Sequence, residues 1–414
     1  MINFNSFELD NGLKVFVHED KNTPLAVVNI AYDVGSRDES EEKTGFAHLF
    51  EHLMFGGSEN IPNYDEPLQR VGGENNAFTS PDITNYYITL PAENIETAFW
   101  LESDRMRSLS FDPKVLEVQQ KVVIEEFNQR YLNQPYGDLW LKLRPLAYTT
   151  HPYKWATIGK EIDHIKDATM EDVKDFFYKH YRPNNAYMVV AGNVKTENIK
   201  KLTEKWFADI AAGPKLERKL PKEPEQTEAR FLQLEDDVPV DSLYKAYHMP
   251  AKTDASYHAA DLVSDLIGRG KSSMLYKKLV KEESIFSSIS AYVTGSFDPG
   301  LLVISGQPTH GISLEQANLA VEQLIEEFLE SDIPNTAIEK VKNQAISTLI
   351  YSEVELLNRA MAIAFGAVLG NPNMVNEETD KIRMVNIDQI KTAAQQILRK
   401  ENCSTIFYKS NKEG

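Results

Sequence analysis

The segment Gly45-Phe-Ala-His48-Leu-Phe-Glu51-His52-Leu-Met-Phe55 places two imidazoles and a carboxylate within five residues. On a helix, His52 stands about 40° to one side of His48 and Glu51 about 60° to the other. Phe46, Phe50 and Leu53 fall on the opposite side. So apolar a helix is expected to be buried, with its three titratable groups on one stripe. Buried polar groups need partners, and two imidazoles one turn apart with a carboxylate beside them suit a divalent metal such as Zn²⁺. The ordinary alternative is a pair of core histidines bonded to backbone, or incidental histidines on a surface helix. His-x-x-Glu-His is the inverted zincin pattern, in which the histidines ligate zinc and the glutamate acts as base.

Zinc held by two histidines needs a third protein ligand and an open position for water. Helical periodicity over 113–131 offers Glu125 and Glu126. With Glu126 at 0°, Val115, Leu116, Val122, Val123 and Phe127 fall on a stripe from about −40° to about +100°, whereas Glu125, at about −100°, lies outside it. A carboxylate inside an apolar stripe is the anomaly a metal would explain, so Glu126 is the expected third ligand. A buried salt bridge from Glu126 to Arg105 or Arg130 is the competing reading.

Other elements must position these groups. The chain has 414 residues, enough for two or three domains. It is 42% hydrophobic and 26% charged, an ordinary globular composition. Its 62 acidic and 44 basic residues leave a net charge of −18, which repels phosphate backbones and argues against nucleic acid as a partner. Cys403 is the lone cysteine, so an internal disulfide, a cysteine zinc finger and an iron–sulfur site are excluded. No stretch reaches the roughly 18 apolar residues of a membrane helix, so membrane insertion is not expected. The first residues lack the shape of a signal peptide. A cytoplasmic location is therefore the expectation, with the periplasm reserved for a processed chain.

Strands are expected over 7–9, 13–17 (after a turn at Asn11-Gly12), 25–34 and 187–194. Helices are expected over 45–54, 95–109, 197–210 and 336–351. The proline-rich, charged run 213–226 reads as a linker. Beyond it the pattern restarts: Pro24 followed by Ala31-Tyr32 recurs as Pro239 followed by Ala246-Tyr247, an offset of 215. Two related α+β domains of about 200 residues follow, each a mainly antiparallel sheet with packed helices. Their expected ranges are 1–212 for the metal-bearing domain and 227–414 for a related domain without the motif.

With these residues in view, the chain resembles the pitrilysin, insulin-degrading enzyme and mitochondrial processing peptidase family of inverted-zincin metallopeptidases. Besides the metal motif and Glu126, the resemblance rests on Gly72-Gly73, Asn76-Ala77-Phe78-Thr79-Ser80 and Thr84-Asn85-Tyr86-Tyr87. It continues through His151-Pro152-Tyr153, Thr157-Ile158-Gly159 and the run from Tyr181 to Asn193. The resemblance implies that His48, His52 and Glu126 bind zinc and that Glu51 is the general base of a metalloendopeptidase. It also implies that Asn76 and Ala77 pair with an extended peptide substrate by strand addition. From the residues alone, Asn76 reads as a turn residue after the two glycines. The family's fold implies that a chain of this length forms half of a clamshell around a chamber for peptides or unfolded segments.

Two departures from the family pattern are informative. Gln119 stands seven residues before Glu126, where the family usually carries a supporting glutamate. In the second half, active members carry an arginine and, seven residues on, a tyrosine, which hold substrate and help stabilise the oxyanion. Here those positions are Val280 and Ser287, and neither can do that work. The resemblance therefore implies a heterodimer, in which a homologous zinc-less subunit supplies the arginine and tyrosine. The alternatives are a self-sufficient homodimer in which Arg269 and Tyr276 take over those roles, and a non-catalytic scaffold or peptide-binding subunit that retains the motif as a relic.

Overall fold

The computed structural model describes residues 1–411. Its strands are β1 (Asn5–Glu8), β2 (Lys14–Glu19), β3 (Leu25–Tyr32), β4 (Glu74–Thr79), β5 (Thr84–Pro91) and β6 (Ala186–Gly192), followed by β7 (Arg230–Asp236), β8 (Ser242–His248), β9 (Phe286–Val293), β10 (Leu301–Pro308) and β11 (Cys403–Ser410). The first six form one sheet in the order β1-β2-β6-β3-β5-β4, and the last five form a second in the order β7-β11-β8-β10-β9. Each sheet is antiparallel except for one parallel pair, β2 with β6 and β7 with β11.

The Asn11-Gly12 turn forms as its composition dictates. Gly12 takes φ +86°, open to glycine at little cost, and β1 and β2 pair from Glu8↔Lys14 outward. The 215-residue repeat is also a repeat of topology. β3 lies between its antiparallel neighbours β5 and β6, and β8 lies likewise between β10 and β11. Ala31, Tyr32, Ala246 and Tyr247 are all buried. Carried one step further, the offset maps His48, Glu51 and His52 onto Val263, Leu266 and Ile267 of helix Tyr257–Gly268, all of them buried. The second sheet's helix thus fills with aliphatic packing the stripe that carries polar donors in the first.

The compact units are not the continuous ranges 1–212 and 227–414. One unit comprises Met1–Gln129, Trp155–Pro221 and Ile350–Glu377, and the other Arg130–Lys154, Lys222–Leu349 and Glu378–Gly414. The physical reason is that both sheets are apolar on both faces. Within the first unit, Ala360, Ile363, Ala364 and Ala367 of helix Leu356–Val368 cover Phe16, Val27, Ala31, Val189 and Ala191. Within the second, Leu139, Leu143 and Ala147 of helix Leu139–Ala147 cover Tyr244, Ala246, Leu301, Val303 and Ile406. The alternate residues Leu243, Tyr247, Leu302, Ile304 and Phe407 face a separate core. Each sheet therefore draws one covering helix from the other half of the sequence. The run 213–226 is divided at Pro221. Arg218 is paired with Asp33 and Asp38 in the first unit, and Glu223 accepts the amides of Thr149, Thr150 and His151 in the second.

Ile363→Ala should lower stability by about 2–4 kcal/mol through the cavity it leaves. It should quicken hydrogen exchange in β2, β3 and β6 while β8, β10 and β11 are unchanged. Leu143→Ala should do the reverse. Equal quickening in both sheets for either variant would contradict this assignment of the covering helices.

Candidate metal centre

The stretch 45–55 forms a short helix, Phe46–Leu53, with Phe46, Ala47, Leu49, Phe50 and Leu53 buried. Phe50 stacks on Tyr181 with ring centroids 5.1 Å apart and meets Phe176 at 4.9 Å. This aromatic packing fixes the apolar side and leaves His48, Glu51 and His52 on the other. Gly45 ends the preceding turn at φ +85°, and a side chain there would collide with the carbonyl of Ile158.

Glu126 lies near the end of helix Pro113–Phe127, opened by an Asp112 N-cap and a proline in its first turn. The buried stripe of this helix is narrower than the sequence suggests. Leu116, Val123 and Phe127 are buried, but Val122 is 43% exposed. Glu126 therefore sits at the edge of the apolar stripe, half-buried, where it can face a partner. The pairing with Arg105 is not formed. Arg105, 1% exposed, is bound through two nitrogens to Glu102 at 2.6–3.0 Å and lies over the rings of Tyr64 and Tyr86. Burial works against its charge, but Glu102 and the surrounding phenols outweigh it and hold the guanidinium charged.

His48, His52 and Glu126 come together. The Nε2 atoms of His48 and His52 lie 3.7 and 3.5 Å from the same oxygen, Glu126 Oε2. One donor atom from each residue lies within 4.8 Å of the others, the only such group of three or more among the described residues. Donors about 2.1 Å from a shared tetrahedral ion stand about 3.4 Å apart. The donor set and its spacing therefore fit a zinc-sized cation. Gln119 is half-buried on the same helix as Glu126.

Glu51 is set apart from the cluster by its own hydrogen bond: Thr79 Oγ1 donates to Glu51 Oε2 at 2.5 Å. Burial raises the Glu51 carboxyl above its ordinary value, and Thr79 and His52 pull it back. Thr79 is the last residue of β4, an edge strand paired only with β5. Asn76 and Ala77 lie on this strand, opposite Tyr87 and Tyr86. The sequence alone suggested a turn at Asn76; the structure makes it strand. Its side-chain Oδ1 accepts the amide of Ala77 at 2.8 Å.

Two residues at the site escaped the sequence reading. Thr79 carries no signal beyond its place in the strand. Glu39 lies in the run Asp38-Glu39-Ser-Glu-Glu, which reads as a solvated acidic stretch, yet it is 7% exposed. Its two carboxylate oxygens accept the amides of Gly45 and Ala47 at 2.9 and 2.8 Å. Burial pushes its carboxyl well up, opposed by those two amides. No local signal marks Glu39, because Thr44 offers a capping hydroxyl in the sequence, and only the structure shows that hydroxyl accepting the Lys160 amide instead.

Of the residues in the second half, Val280 packs against the apolar core and Ser287 Oγ donates to the carbonyl of Gln307 at 3.0 Å. Arg269 is paired with Asp265 and donates to Thr348.

Two family models match successive parts of the chain. The family described as Insulinase (Peptidase family M16) matches residues 14–145, the stretch carrying His48, Glu51, His52 and Glu126. The family described as Peptidase M16 inactive domain matches residues 167–345, which carry none of them. Zinc protease PqqE of Helicobacter pylori is 31% identical over 345 residues, 81% of this chain and 77% of that protein. Probable mitochondrial-processing peptidase subunit beta of Arabidopsis thaliana is 26% identical over 71% of this chain and 57% of that protein. Among solved structures, a protease from Helicobacter pylori superposes with a TM-score of 0.92 at 28% identity, covering 99% of this chain and 100% of that one. No helix among the described residues is long and apolar enough to cross a membrane. Sequence and fold agree that the chain belongs to peptidase family M16, the insulinase family.

Proposed function

We propose that the chain is a zinc-dependent endopeptidase, the catalytic subunit of a pair, which cuts peptides or unfolded segments in a chamber closed by a second, homologous chain. The observation that carries this reading is the convergence of His48 and His52 on one oxygen of Glu126, with Glu51 hydrogen-bonded to the end of an open edge strand. His48, His52 and Glu126 would hold the metal. When bound, zinc supplies Lewis acidity and lowers the pKa of a bound water to roughly 7.

The chain's own residues do the rest. Glu51, held through Oε2 by Thr79, takes the proton of the attacking water. Glu51 then returns that proton to the leaving amine nitrogen as the peptide bond breaks. The substrate lies along β4 as an added strand. Its backbone replaces the Asn76 side chain at the Ala77 amide, so the strand is held without reading most of its side chains.

Charge developing on the scissile carbonyl oxygen also needs donors; Val280 has none, and the Ser287 hydroxyl is given to the Gln307 carbonyl. Arg269 is already engaged with Asp265 and Thr348, which favours a second chain over a self-sufficient homodimer. The name of the Arabidopsis relative, a subunit beta, supports the same reading. A scaffold would have no use for three converging donors and a base.

Glu51→Gln should retain zinc, measured by metal analysis, and lose roughly 10²–10⁴-fold in kcat. Normal turnover in that variant would remove Glu51 as the base. Thr79→Val removes a hydrogen bond that favours the carboxylate, so the Glu51 pKa rises and the acid limb of the pH–rate profile should move to higher pH. An unmoved limb would dissociate Thr79 from the base. The purified chain should be nearly inactive alone and gain activity on mixing with a zinc-less homologue from the same source. Equal rates with and without that homologue would refute the paired site.

A further inference from the structure

We propose that Glu39 is the positioning residue of the metal centre, holding the ligand-bearing helix at the rotation that sets His48 and His52 against Glu126; this rests on the metal reading above. The helix spans eight residues, Phe46–Leu53, too few for stability of its own. Its first-turn amides have no partner within the helix, and Gly45 at the N-cap offers no side chain to cap them. Left unpaired in a buried setting, each would carry a desolvation cost. Glu39 meets two of them at once, with Oε2 on the Gly45 amide and Oε1 on the Ala47 amide. Two bonds to one rigid carboxylate fix direction as well as position.

The geometry then runs outward in sequence. Ala47 is followed at once by His48, and Glu51 and His52 lie one turn on. A site of this kind needs its groups within about 0.5 Å of their productive places. Glu39 is itself firmly seated. Its neighbour Asp38 accepts the Gly35 amide at 3.0 Å and Arg218 Nε at 2.7 Å. The buried Arg37 pairs with Asp82 at 2.9 Å, and Trp155 Nε1 donates to the Ser36 carbonyl at 2.8 Å. Four separate fastenings over residues 35–38 exceed what an exposed acidic loop needs, and they make that loop a fixed point from which the helix is aimed.

The test compares Glu39→Gln with Glu223→Gln in the full-length chain. Glu223 is likewise a carboxylate accepting backbone amides, but in the unit without the metal centre, and so controls for a general loss of stability. The carboxamide at position 39 can accept one of the two amides but presents a donor to the other. Zn²⁺ affinity by chelator competition should fall roughly 10–100-fold in Glu39→Gln, as expected for loss of a group supporting a metal site. The visible spectrum of the Co²⁺-loaded chain should shift. Glu223→Gln should keep wild-type affinity and spectrum.

Affinity within twofold of wild type and an unaltered Co²⁺ spectrum in Glu39→Gln would overturn the proposal. So would an equal loss in both variants. Should Glu39→Gln not fold, Glu39→Asp carries the test, since it keeps the carboxyl group but is too short to span both amides. Wild-type protein that binds neither metal would refute the metal reading itself, a result distinct from normal metal binding in the Glu39 variants.

Discussion

The convergence of two imidazoles on one carboxylate oxygen is the constraint to which the first unit is built. Each of the three groups must leave water, yet none can be buried without a counterpart, so they must arrive from two helices at the same point. That demand explains why helix Phe46–Leu53 is apolar on every side but one, and why an aromatic cluster grips its back. It also explains the narrow apolar stripe of helix Pro113–Phe127, which ends at Glu126 and exposes Val122. Glu51 is kept out of the cluster by a separate bond from Thr79.

The duplication makes the same point by contrast. The helix at the corresponding place in the second unit carries Val263, Leu266 and Ile267, and it needs no counterparts because it buries no polar group there. One topology has thus been filled in two ways, with polar donors in one copy and aliphatic packing in the other.

Much of this was legible in the residues. The grouping of His48, Glu51, His52 and Glu126 followed from helical spacing on an apolar background, and the repeat of Pro24, Ala31 and Tyr32 pointed to two like sheets. Three kinds of information were not local and could not be read from the residues alone. Glu39 sits among acidic neighbours, and only the tertiary structure shows that its side chain turns inward to two backbone amides. Asn76 looks like a turn residue because asparagine after two glycines usually is one, and pairing with β5 overrides that preference. The covering helices Leu139–Ala147 and Leu356–Val368 look like ordinary members of their own halves. Nothing in an apolar face names the sheet it will meet.

That exchange of covering helices bears on how the chain is made. A ribosome that has released only the first 221 residues has released both central strands of the first sheet but not residues 350–377, which close one of its faces. The nascent first half must wait with an apolar surface uncovered, or shielded by a chaperone, until residues 350–377 have emerged. The division at Pro221 is therefore no seam at which the protein could be cut into two self-sufficient pieces, and each half of the gene encodes part of the other half's core.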